Sequence, residues 1–237
     1  MGISDTIISE ISKISDANMV VRNGRAVPST EDIALRNGAM ELEAAYLYAD
    51  LANSSMMARY LDRRVTAKIL KSFLASSARL IRHCGGRVMS FDGDRVMGSF
   101  VGADHCDNAV KCAFAISWAV DEVIRPKLEG KYDSIKAAGI EISHATGVDV
   151  GTVYVVRAGV RGSNDLVSIG RAPNLAAKLS DIRASPFTTY VTGTVHRRMS
   201  ASCKTQLNGG RVPWEGRNWS FVGETVSYYR TGYWRKP

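Results

Sequence analysis

An α+β domain built on an antiparallel or mixed sheet follows from three features of this chain. Short apolar runs and amphipathic stretches succeed one another in the order strand, helix, hairpin, helix, hairpin, helix, strand. No internal repeat and no Pro/Gly-rich linker divides the 237 residues, which amount to one generous domain. Hydrophobic residues at 45% and charged residues at 23% belong to a chain that can bury a full core without staples. The pattern predicts helices packed on one face of the sheet.

Ile3, Ile7, Ile8, Ile11 and Ile14 recur at helical spacing, so residues 4–14 are read as an amphipathic helix. Residues 15–38 mix Asn, Gly, Pro and charges and are read as an irregular strap; residues 39–237 form the main domain. Ala45 to Ala52 is a short apolar run, a buried strand carrying Asp50. Residues 65–84 place Val65, Ile69, Phe73, Leu80, Ile81 and Cys84 on one helical face, and Gly85-Gly86 ends that helix. Arg87–Phe91 and Arg95–Val101 are strands joined by an Asp92-Gly93-Asp94 hairpin turn. Asp104 is placed as the N-cap of a helix reaching about Ile124, with Val110, Ala113, Phe114, Val120 and Ile124 inward. Gly139–Thr146 and Gly151–Val156 are read as a second strand pair, and Gly170–Ile182 as a helix with Pro173 in its first turn. Thr188–Val191, a short helix at 193–199, and strands near 219–222 and 225–231 complete the order.

Cys84, Cys106, Cys112 and Cys203 are scattered, with no CxxC and no His at zinc-finger spacing, which argues against a disulfide framework or structural zinc. No apolar run approaches the roughly 20 residues of a membrane span. The N-terminus carries Asp5 and Glu10 where a signal peptide would be basic, so a cytoplasmic protein is expected. Gly2 and Thr6 match a myristoylation pattern that is short and often accidental. A net charge of +8, from 31 basic against 23 acidic residues, favours an anionic partner without choosing among nucleotide, nucleic acid and acidic membrane.

Two carboxylates carry the chemistry. Asp50 sits inside an apolar strand, where Asp is disfavoured, and Asp94 sits at a hairpin tip after Gly93, where Asp is also an ordinary turn residue. A buried ionised carboxylate is costly unless it is paired or binds a metal. A strand carboxylate beside a hairpin-tip carboxylate can hold two divalent ions, as in nucleotidyl-transfer palms.

Four blocks then resemble one family. Tyr46-Leu47-Tyr48-Ala49-Asp50-Leu51 is similar to the first strand of class III nucleotide cyclases. His83 to Val96 resembles their helix, glycine, strand and Gly-Asp hairpin, and Gly147-Val148-Asp149-Val150-Gly151 their later glycine turn between strands. Gly170-Arg171-Ala172-Pro173-Asn174-Leu175-Ala176-Ala177-Lys178-Leu179 resembles their Gly-x-x-x-Asn-x-Ala-x-Arg-Leu helix. Each block is weak alone; their order and spacing over residues 40–230 give the resemblance its strength. It implies a ferredoxin-like, palm-like fold completed as a homodimer, with Mg²⁺ or Mn²⁺ as two divalent cofactors on Asp50, Asp94 and the Leu51 carbonyl. Asn174 would orient the ribose. Lys178, standing where the family has Arg, would balance charge on the α-phosphate without a bidentate fork; by position alone it is equally a solvated helix lysine.

The substrate follows from two departures. Ser90 and, within one residue of alignment error, Val167 or Ser168 stand where purine cyclases carry base-reading groups, and Tyr48 replaces the usual Phe, narrowing the pocket. Tyr48 also reads as a core aromatic with a bonded hydroxyl. These features resemble the stand-alone pyrimidine cyclases of bacterial Pycsar anti-phage defence, uridylate more than cytidylate. That implies UTP as substrate and cyclic UMP as a second messenger for a separate cyclic-nucleotide effector; a nucleic-acid partner is not expected beside it, and the hydropathy gives no membrane span. Arg95 is a further candidate for reading base or phosphate, although strand alternation would aim it away from Asp94. Arg157, Arg171, Arg183 and Arg230 remain open as triphosphate ligands. Asp92 reads as an exposed hairpin-edge carboxylate. His83, His105, His144 and His196 show no metal-like spacing. The competing class is a non-catalytic, nucleic-acid-binding palm-like module, supported by the charge and the basic aromatic tail Tyr228–Lys236; a Gly-Gly-Asp/Glu-Glu-Phe diguanylate cyclase signature is absent.

Overall fold

A computed structural model describes residues 2–237. The first helix, α1 (Ile3–Ser15), forms as its periodicity predicts, but none of its residues is buried: Ile3, Ile7, Ile8, Ile11 and Ile14 are all exposed. The strap that follows is more ordered than its composition suggests. It contains β1 (Val20–Asn23), which pairs parallel with the start of β2 (Gly38–Leu51). β2 itself is 14 residues long, beginning well before the apolar run that announced it.

A helix not foreseen, α2 (Ser54–Tyr60), leads into α3 (Arg63–His83), where the Asp62 carboxylate accepts the Arg64 N–H at 2.8 Å. Gly85 then takes φ +79°, the left-handed step that ends the helix. Strands β3 (Arg87–Asp92) and β4 (Arg95–Phe100) form the expected hairpin. Helix α4 (His105–Trp118) starts after Asp104, whose side chain makes no capping bond. It widens into a π turn over Ala119–Ile124, just ahead of Pro126 in α5 (Arg125–Glu129), and α6 (Asp133–Ala137) follows.

Residues 139–156 require a correction. They are not two strands around a glycine turn: β5 runs unbroken from His144 to Val160, and residues 139–143 precede it as coil. Gly147 lies inside this strand because a helix packs against it. A Cβ there would stand 2.1 Å from the Ala176 carbonyl oxygen and 2.6 Å from the Ser180 nitrogen. The remaining elements are β6 (Ser163–Ile169), α7 (Arg171–Ser180), β7 (Thr189–Thr192), α8 (Gly193–Arg198), β8 (Glu215–Phe221) and β9 (Glu224–Thr231).

Among the described residues nine strands make one sheet in the order β3-β4-β2-β5-β7-β9-β8, with β1 added to β2 and β6 to β5. Of the pairings among these strands, β1–β2 and β5–β7 are parallel and the others antiparallel. The centre is β2 against β5, in antiparallel register from Ala39–Val156 to Leu51–His144. Along β2 the side chains alternate between two cores. Ala45, Leu47, Ala49 and Leu51 pack with Ile69, Phe73, Val110 and Phe114 of α3 and α4. Leu42, Ala44 and Tyr46 pack with Ala172 and Ala176 of α7. Helices therefore cover both faces of the sheet, because β2 is apolar on both. Among the described residues no helix is long and apolar enough to cross a membrane.

Gly147→Ala is expected to lower stability by about 1–3 kcal/mol, read as the urea midpoint, because α7 must shift to admit the methyl. Gly151→Ala, whose Cβ would meet Ala172 Cβ at an ordinary 3.7 Å, serves as the tolerated control. A second expectation concerns His144, 3% exposed, whose pKa burial pushes down to about 3, with Arg125 and Arg183 adding to the effect. The ring is neutral in the fold and protonates near 6.5 when unfolded, so its stability contribution is complete above that pH. Below it, up to about 1.4 kcal/mol is lost per pH unit until the folded pKa is reached. Urea unfolding at pH 7 and pH 5 should show this slope in the wild type and a reduced one in His144→Gln.

Candidate active site

Strand alternation decides where the Asp50 carboxylate goes. As an even-numbered residue of β2 it shares the face of Tyr46 and Tyr48, the side covered by α7. It stands two residues past Tyr48 at the end of the strand, with its side chain 7% exposed. Opposite it in the ladder is Arg95. Arg95 Nη2 reaches Asp50 Oδ2 at 3.1 Å and, from the same nitrogen, Asp181 Oδ1 at 2.7 Å. Arg183, two residues after α7's C-cap, donates from Nη2 to the same Asp50 Oδ2 at 2.7 Å. Asp50 Oδ1 accepts no hydrogen bond among the described residues. Burial raises the Asp50 pKa above the ordinary carboxylate range; the Arg183 hydrogen bond and the charges of Arg95 and Arg183 pull it down, and the neighbouring Asp94 pushes it up again.

Asp94 reaches this point through its hairpin. Its carbonyl accepts the Leu51 N–H at 3.3 Å, which ties the β3–β4 tip to the end of β2, and the residue is half-buried. Asp92 lies exposed across β4, opposite Arg95. Asp50 with its free Oδ1, and Asp94, whose charge acts on Asp50 and whose carboxylate makes no hydrogen bond among the described residues, would with backbone carbonyls at the strand end offer an all-oxygen donor set. Hard divalent cations such as Mg²⁺ and Mn²⁺ suit such a set. The residues present fit the group.

Beside the carboxylates lies the row Tyr48 (β2), Met97 (β4) and Ser90 (β3), directly opposite one another in the ladder. At strand spacing, Tyr48 and Ser90 are roughly 10 Å apart on this face. Both are half-buried, and burial raises the Tyr48 pKa while the Arg95 charge lowers it. The positions considered for base reading on β6 divide: Val167 is exposed, and Ser168 Oγ accepts the hydroxyl of the buried Tyr46 at 2.8 Å.

Asn174 and Lys178 lie one turn apart on the exposed face of α7, whose opposite face buries Ala172, Leu175, Ala176 and Leu179. Lys178 Nζ is 3.5 Å from Asp181 Oδ2, so it connects to Asp50 of its own chain only through Asp181 and Arg95. The structure thus brings Asp50, Leu51, Asp94, Arg95, Tyr48 and Ser90 together. It leaves Asn174 and Lys178 pointing outward, an arrangement open to a second copy of the chain. Of the other arginines, Arg157 bonds Asn164, Arg171 reaches Glu224 at 3.4 Å, and Arg230 pairs with Glu215 at 3.1 Å. Asp181 escaped the sequence reading. Its place three residues after Lys178 on one helix face was the available signal.

No protein-family model matches the chain. It is 58% identical over 237 residues to the Uridylate cyclase of Rhodovulum sp. (strain MB263), covering 100% of this chain and 99% of that protein. The Uridylate cyclase of Xanthomonas perforans is 35% identical over 236 residues, with 99% of each chain covered. Among solved structures, the guanylyl cyclase Cya2 superposes with a TM-score of 0.67 at 19% identity, over 83% of this chain and 95% of that one.

Proposed function

Because the chain belongs to the uridylate cyclases and carries the class III cyclase fold, we propose that it converts UTP to 3′,5′-cyclic UMP and pyrophosphate. The observation that carries this reading is the end-to-end similarity to the Rhodovulum enzyme. In the reaction the ribose 3′-oxygen bonds to the α-phosphorus, the bond from that phosphorus to the β-phosphate oxygen breaks, and the 3′ proton leaves to solvent. Residues 39–237 form the catalytic unit, and residues 1–38 are a helix and a strap, of which β1 and Ile33 pack into that unit's sheet and core.

Asp50, Asp94 and the Leu51 carbonyl hold the divalent cations. Two such ions, Mg²⁺ or Mn²⁺, supply the Lewis acidity that makes the 3′-hydroxyl a nucleophile and offset the triphosphate charge. Asn174 orients the ribose by its amide, and Lys178 places an ammonium against the charge that develops on the α-phosphate. Tyr48 and Ser90 bound the base. Tyr48 fills space that a purine needs, and Ser90 offers no charge to a purine edge. Arg95 borders the same face, but two carboxylates hold its guanidinium, so its part is to fix the floor of the site as well as to face the base.

The outward face of α7 supports a homodimer in which Asn174 and Lys178 complete the partner's site. The protein acts in the cytoplasm, and its product serves as a second messenger for a separate effector in anti-phage defence. The resemblance noted for the four sequence blocks supports these two statements. A nucleic-acid-binding module would have no use for Asp50 and Asp94 side by side.

Purified protein incubated with Mn²⁺ and each of ATP, GTP, CTP and UTP should yield cyclic UMP as the dominant product by mass. A product that is mainly cyclic CMP or cyclic AMP would move the reading to a cytidylate or adenylate cyclase. Each unpaired polar group left on a wrong base costs about 1–3 kcal/mol, so discrimination of a hundredfold or so against purines is expected. Asp50→Ala or Asp94→Ala should abolish turnover with the fold retained by circular dichroism, and Asp92→Ala should not.

Mixing inactive Asp50→Ala with inactive Lys178→Ala tests the shared site. Random subunit exchange leaves one intact site per heterodimer and restores about a quarter of wild-type activity. No recovery despite demonstrated exchange would place the whole site in one chain.

A further inference from the structure

Arg183 has no assigned role, yet it makes the shortest contact to the carboxylate on which the site depends. Its guanidinium is anchored at one end by backbone: Nη1 donates to the Ser180 and Ile182 carbonyls, at the C-terminus of α7 where a cation is favoured. That anchoring leaves Nη2 aimed at Asp50 Oδ2, 2.7 Å away. Arg95, across the ladder, donates to the same oxygen at 3.1 Å. Two guanidiniums on one oxygen remove the carboxylate's freedom to turn about its last bond, and only Oδ1 is left without a partner. A carboxylate that binds a metal is held in this way in well-ordered sites, where its own hydrogen bonds set its direction.

We propose that Arg183 is a positioning residue that holds Oδ2 of Asp50 so that Oδ1 is presented to a divalent cation. The inference rests on the reading of Asp50 as a cation ligand. It assigns Arg183 to the carboxylate rather than to the triphosphate, and it makes the end of α7 part of the cation site.

The test measures Mn²⁺ alone, from the loss of its free-ion electron paramagnetic resonance signal, on the full-length wild type, Arg183→Gln, Arg183→Lys and Asp50→Ala. Arg183→Gln is expected to weaken Asp50-dependent Mn²⁺ binding by ~10-fold or more. In turnover with saturating UTP, the half-saturating Mn²⁺ concentration should rise by a similar factor while kcat at saturating Mn²⁺ stays near the wild-type value. Arg183→Lys keeps the charge and should recover part of the affinity. Unchanged binding in Arg183→Gln would overturn the proposal, and tighter binding would overturn it by making Arg183 a competitor for the carboxylate. If Arg183→Gln does not fold by circular dichroism, Arg183→Lys decides. A several-fold weakening supports the proposal, since one ammonium cannot hold both the α7 carbonyls and Asp50, and wild-type affinity overturns it. Equal Mn²⁺ binding by wild type and Asp50→Ala would instead remove the cation-ligand reading itself.

Discussion

The antiparallel pairing of β2 with β5 is the constraint on which the rest of this molecule depends. Its register, thirteen residue pairs from Ala39–Val156 to Leu51–His144, fixes which residues of β2 face which layer. A slip of one residue would exchange the two faces and carry Asp50 into the packing of α3 and α4. Gly147 sits within this pairing opposite Tyr48, and its missing side chain lets α7 lie against the sheet. That close approach sets the distance from the end of α7 to the end of β2, and hence the reach of Arg183 and Asp181 toward Asp50 and Arg95.

The charge on Asp50 is the costliest element of the site, and the structure meets it locally. The carboxylate is nearly excluded from water, where burial alone would favour its neutral form. Two arginines from different elements, one across the ladder and one after α7, supply the compensating charge. Asp181 and Lys178 extend the cluster outward, so the carboxylate inside and the ammonium outside belong to one chain of ion pairs. Within a homodimer, the Asp50 end of that chain would serve one site and the Lys178 end the other. The three cations of the cluster and its carboxylates, Asp94 included, balance one another, so the +8 net charge of the chain is carried outside the site.

Periodicity revealed elements better than it revealed their surroundings. The isoleucines of α1 state a helix correctly, yet they stay exposed among the described residues. The glycines of residues 147–151 look like a turn because glycine is common in turns, and the alternative, a helix pressed against a strand, leaves no mark in a single sequence. The hairpin at Asp92–Asp94, the helix ends at Gly85 and Gly170, and the α3 and α4 faces were legible because each depends on residues near one another in the chain.

What the sequence determined by itself was therefore local: the hairpin that carries Asp94, the strand that carries Asp50, the helix that carries Asn174 and Lys178, and through their order the kinship with cyclases. The tertiary structure alone decided that helices cover both faces of the sheet and that β5 is one strand. It also decided that Arg95 faces Asp50 and that Arg183, 133 residues away in sequence, closes on the same oxygen. The reason is physical. Propensity, capping and alternation act over a few residues, whereas a contact between distant charges exists only after the sheet register and the seat of α7 have been fixed.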